Sequence, residues 1–95
     1  MATNLKETNP ALYEDLIRRM RRIEGQARGI QRMLEEGDDC EQVLIQLGAM
    51  KAAIQRVGMK VVACTLGQRV VEAVKTGAPT EDAVDEAMEA FLKLG

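Results

Sequence analysis

Between residues 43 and 64, the apolar side chains Val43, Leu47, Met50, Ile54, Val57, Val61 and Cys64 recur at alternating steps of four and three. This is a heptad seam. It runs on through Leu66, Val70 and Val74 until Gly77-Ala78-Pro79 stops it. A helix over 40–75 is roughly 50 Å long. A 95-residue monomer of ordinary radius cannot cover such a seam. The pattern therefore predicts an oligomer in which the long helix packs against its own copy. Gly48, Ala49, Ala52 and Ala53, near the middle, let two backbones approach closely.

Two further helices flank the long one. Leu12, Leu16, Met20, Ile23, Ala27, Ile30 and Leu34 form one helical face, with Asn9-Pro10 at its start and Gly37 at its end. Asp38-Asp39 then caps the long helix. After Pro79, Thr80 is the N-cap of a third helix, whose apolar face is Val84, Ala87, Met88, Phe91 and Leu92. The expected fold is all-α, with three helices in the order short–long–short. Residues 1–10 read as a disordered tail and 11–95 as a single domain. Aromatics make up only 2% of the chain, which disfavours sandwiches and barrels.

The same inventory excludes several functions. There is no histidine, so a Ser-His-Asp triad, histidine acid–base chemistry and a histidine-containing zinc site are all absent. No nucleophile–base pair or phosphate loop replaces them, and the chain is not expected to be an enzyme. No apolar run approaches the roughly 20 residues that span a bilayer, and the N-terminus has no signal-peptide core. A cytoplasmic location without membrane contact is expected, with Cys40 and Cys64 as reduced thiols.

The net charge of −2 conceals a strong segregation. Residues 16–32 sum to +5, from Arg18, Arg19, Arg21, Arg22, Arg28 and Arg32 against Glu24, and 33–43 sum to −5. Arginine suits bidentate phosphate contact, although a charge run is also the ordinary make-up of a solvated helix face. On the long helix Lys51, Arg56 and Lys60 share a broad face, and a two-fold oligomer would duplicate both clusters against a duplex backbone. Few aromatics argue against single-strand stacking, and the long second helix argues against a helix-turn-helix.

Cys40 and Cys64 are 24 positions apart, or about 36 Å along one helix, far beyond disulfide reach within a chain. Two antiparallel copies with their axis near Ala52 would instead set Cys40 of one chain beside Cys64 of the other. The helix dipole at Cys40 favours negative charge, which Asp38, Asp39 and Glu41 oppose. Cys64 occupies a seam position and reads equally well as plain core.

Arg19-x-x-Arg22-Ile23-x-Gly25-Gln26, followed by Gly37-x-x-Cys40 and the Gln55-Arg56 helix, resembles the CsoR/RcnR family of bacterial repressors. The likeness covers residues 12–94. It implies an antiparallel dimer of three-helix protomers that assembles into a flat tetramer. It also implies promoter binding that ends when an effector engages a cysteine-centred site. By the same resemblance, Cys40 is the effector cysteine, Arg19 and Arg56 are tied to DNA binding, and Gln26 shares their motif. Glu86 corresponds to the carboxylate that couples the copper site to DNA affinity. The remaining two ligand positions of the copper sensors hold Thr65 and Arg69 here. Nickel and cobalt sensors need histidines, persulfide sensors place a second cysteine where Arg69 stands, and formaldehyde sensors have a proline where Ala2 stands.

The expectation is thus a repressor of double-stranded operator DNA, forming homodimers and homotetramers. Its effector site is Cys40, with Cys64 of the partner chain, responding to reactive sulfur or electrophiles. Its DNA-binding residues are Arg18, Arg19, Arg22, Gln26, Lys51, Arg56 and Lys60. The alternative effector is Cu(I), held by Cys40 and Cys64 without histidine. The alternative of another class is a helical scaffold that binds no DNA.

Overall fold

The structure, a computed structural model, describes residues 4–94. Among the described residues all regular structure is helical: α1 (Leu5–Thr8), α2 (Pro10–Glu35), α3 (Cys40–Thr76) and α4 (Thr80–Leu94). The three long helices follow the order and boundaries that the sequence predicts. No helix among the described residues is long and apolar enough to cross a membrane.

The segment 1–10 differs from the expected tail over part of its length. Asn4 Oδ1 accepts from the Glu7 N–H at 3.2 Å, and Thr8 Oγ1 donates to the Asn4 carbonyl at 2.9 Å. Those two bonds close one turn at Leu5–Thr8, and Lys6 Nζ lies 5.9 Å from the centre of the Tyr13 ring. Residues 1–3 of that expected tail lie outside the described residues.

Local chemistry sets the helix ends. Asn9 Oδ1 accepts from the Leu12 N–H at 3.2 Å, and Pro10, which has no N–H to satisfy, occupies the first helical position of α2. At the other end the Gly37 N–H donates to Leu34 O at 3.2 Å and the Asp38 N–H to Met33 O at 2.9 Å. These are the paired bonds of a Schellman motif, whose left-handed residue is Gly37 at φ 75°. The device recurs at the end of α3, where Gly77 also has φ 75° and the Ala78 N–H donates to Ala73 O at 2.9 Å. The first bond of α3 runs from the Val43 N–H to Asp39 O at 3.1 Å, which makes Asp39 the cap.

The chain divides into two compact units within α3, one ending at Ile54 and the other beginning at Gln55. In the first unit the buried apolar residues are Leu16, Ile23, Ile30 and Val43. The three from α2 stand seven apart and form the centre of its predicted face. Met20 and Leu34, assigned to the same face, are 47% and 63% exposed. In the second unit the buried residues are Ala73, Ala83 and Ala87. The predicted face of α4 is therefore corrected. Ala87 is buried, but Val84, Met88, Phe91 and Leu92 are exposed, and α4 turns its alanine row inward instead. Small side chains let helices approach closely. The close fit extends to Gly58, where a Cβ would fall on the Leu94 side chain.

The apolar residues of α3 are not confined to the seam. Leu44, Ile45, Met59 and Val71 lie off it and are exposed, as are the seam residues Leu47, Ile54, Val61 and Val74. A helix apolar on several sides belongs in an interior, and one protomer leaves these side chains uncovered.

Candidate effector site and nucleic-acid interface

Cys40 is the first residue of α3 and is exposed, and its thiol is free. Cys64 is also a free thiol, half-buried, and Gln68 Nε2 donates to its Sγ at 3.8 Å from one turn further on. Thr65 donates its hydroxyl to Val61 O at 3.1 Å. Among the described residues no group of three Cys, His, Asp or Glu side chains is placed to hold a metal ion.

Arg69 forms an ion pair with Glu86 across α3 and α4. Glu86 is thus brought to a guanidinium rather than to a thiol. Cys64 stands nine residues before Ala73, about half a turn round the helix from the row that meets α4. Sequence reasoning named Glu86 but missed its partner.

The arginine cluster of α2 also resolves into parts. Asp15, Arg19, Arg22 and Gln26 follow one another at steps of four, three and four, forming a polar line beside the buried row. Arg19 Nε donates to Asp15 Oδ2 at 2.9 Å, and Arg18 binds the other oxygen of the same carboxylate at 3.1 Å. Arg28 pairs with Glu24 at 3.1 Å. Arg22 is exposed and makes no ion pair among the described residues. Gln26 is half-buried, and its Oε1 is buried with no hydrogen-bond donor among the described residues. On α3, Lys51 and Arg56 are exposed and Lys60 is half-buried.

Residues 13–93 match the model of the metal-sensitive transcriptional repressor family. The chain belongs to this CsoR/RcnR family. It is similar to the copper-sensing transcriptional repressor CsoR of Bacillus subtilis, at 35% identity over 84% of this chain and 78% of that protein. The copper-sensing transcriptional repressor RicR of Mycobacterium tuberculosis is 38% identical over 85% of each chain. The crystal structure of the copper-sensing repressor CsoR with Cu(I) from Geobacillus thermodenitrificans superposes with a TM-score of 0.73 at 32% identity. That superposition covers 98% of this chain and 92% of the other. The family is one of transcriptional repressors, and the all-α architecture agrees with membership.

Proposed function

We propose that this CsoR/RcnR-family repressor binds operator duplex DNA as a homotetramer of antiparallel dimers. Reactive sulfur or an electrophile at Cys40 releases it. Arg18, Arg19, Arg22, Gln26, Lys51, Arg56 and Lys60 form the DNA surface, and 11–95 act as one cytoplasmic domain. The observation that carries the reading is the ligand inventory: two free thiols, no histidine, and the remaining positions committed to a backbone bond at Thr65 and an ion pair at Arg69.

A thiol pair responds without any other ligand. The Cys40 thiolate attacks a polysulfide, the S–S bond breaks, and a shortened polysulfide leaves a persulfide on Cys40. The thiolate of Cys64 in the partner chain then attacks the inner sulfur, expels hydrosulfide and closes an interchain disulfide, with the polysulfide as oxidant.

The similarity to copper sensors supports Cu(I) as a second reading. Soft thiolates select Cu(I), and Cys40 with the partner's Cys64 supplies two of them. The residues do not fit a three-ligand site, because a paired guanidinium stands where a third donor is needed.

Intact mass under non-reducing conditions, after anaerobic exposure to a polysulfide donor, separates the two. An interchain cross-link mapping to Cys40 and Cys64, with loss of duplex binding, supports sulfur sensing. An unchanged mass combined with stoichiometric Cu(I) uptake that releases DNA supports copper. A duplex affinity insensitive to salt, to Arg19→Ala and to Arg56→Ala would instead make the protein a scaffold that binds no DNA.

A further inference from the structure

Helix α2 carries six arginines, and one carboxylate holds two of them. Asp15 stands three and four positions before Arg18 and Arg19, the spacing that brings side chains together on a helix. Its two oxygens are divided between them. Oδ1 accepts from Arg18 Nη2 at 3.1 Å, and Oδ2 from Arg19 Nε at 2.9 Å. Arg19 falls three positions after Leu16 and four before Ile23, both buried, so its aliphatic stem follows the apolar row while its head meets Asp15. The Asp15 and Arg19 side chains are accordingly only 25% and 33% exposed, whereas both members of the Arg28–Glu24 pair stand out in solvent. The choice of atoms matters. With Nε engaged, Arg19 keeps Nη1 and Nη2, which make no hydrogen bond among the described residues. They are two parallel donors on one edge of the guanidinium, the edge that suits a phosphate or a guanine.

We propose that Asp15 is a positioning residue for DNA recognition: it orients the guanidinium of Arg19, with Arg18 on its second oxygen, and so sets how strongly the repressor prefers its operator over other duplexes. The inference rests on the reading of the chain as a DNA-binding repressor, and it adds a residue outside the basic surface itself. Two effects of the carboxylate compete. Its charge repels phosphate and draws on the arginines, which lowers affinity for every duplex alike. Its bonds hold a long side chain in one geometry, sparing rotamer freedom that a loose arginine gives up on binding. A loose arginine follows whichever phosphate is near. A fixed one makes its full contact only where the shape and register of the duplex bring a phosphate or base edge to its donors. The charge effect is common to all sequences and the orienting effect is not, so Asp15 acts on the ratio of specific to non-specific affinity. It acts through Arg19 and not on the duplex.

The test measures two fluorescent duplexes against the full chain. One is recovered by in vitro selection on the parent protein, and the other is scrambled at the same length and composition. Failure to recover any duplex defeats the repressor reading itself, before Asp15 is touched. Asp15→Asn keeps the size of the side chain and removes the charge that holds two guanidiniums. It should lower the ratio of selected to scrambled affinity by about fivefold or more, the lower end of what one bidentate arginine contact discriminates. Arg19→Lys keeps the cation but has no Nε to be held, and should show the same loss. The double variant should lose no more than either single one, as expected where both remove one shared interaction. Helical content and thermal midpoint are followed in parallel, and if Asp15→Asn does not fold, Asp15→Gln replaces it with the same expectation. A smaller fall in the ratio, or a rise, overturns the proposal. That holds if both affinities rise together, as for a carboxylate that merely repels phosphate, or fall together, as for one that merely stabilises α2. Losses that add in the double variant overturn it as well.

Discussion

At the scale of single residues, the two thiols differ in exposure and in their neighbours. Cys40 is exposed at a helix start, whereas Cys64 is half-buried beside Gln68. Cys40→Ser should abolish release of DNA by polysulfide while leaving effector-free affinity within about twofold, because it lies outside the proposed DNA surface. Cys64→Ala should keep the first adduct on Cys40 and lose only the interchain cross-link. Anisotropy of a labelled duplex and intact mass read the two outcomes separately. That both thiols are free was legible in the sequence, because their separation along one helix forbids a bond within the chain. The Arg69–Glu86 pair was not, since it joins residues of two helices whose relative rotation no local pattern encodes. Asp15 lies between these cases. Its spacing to Arg18 and Arg19 is a visible helical pair, yet the run of arginines drew attention away from their nearest carboxylate.

At the scale of elements, the ends were easier to read than the faces. Gly37 and Gly77 terminate helices through their own backbone geometry, so their positions announced the boundaries without tertiary help. Gly37→Ala should destabilise the fold by about 1 kcal/mol, the strain of a Cβ in the left-handed region, and lower the urea midpoint. Gly25→Ala provides the contrast. It lies inside α2 with nothing near its missing Cβ, and helix propensity alone should raise stability by about 0.5–1 kcal/mol. The face of α4 was misjudged for a physical reason: hydrophobicity ranks Val84, Met88 and Phe91 above alanine, but close helix contact selects small side chains.

At the scale of the whole molecule, the uncovered side chains of α3 carry the argument. Ile54 and Val61 are 42% and 39% exposed in one protomer, and both lie on the predicted seam. Native mass spectrometry should find a tetramer of roughly four times the 10.5 kDa chain. Ile54→Glu, which would place a charge in each copy's contact, should shift the mass to monomer. It should also reduce duplex affinity by more than tenfold, because each released protomer keeps only its own phosphate contacts. A monomer that binds as tightly as the parent would remove assembly from the function. The bare seam also governs kinetics. Helices closed by local glycine motifs form within microseconds, whereas meeting a second chain takes milliseconds to minutes and slows on dilution. A newly made chain thus passes through a waiting period with sticky side chains bared, open to proteases and to aggregation. Synthesis of several copies from one messenger shortens that wait, so abundance of the working repressor should rise more steeply than its rate of translation.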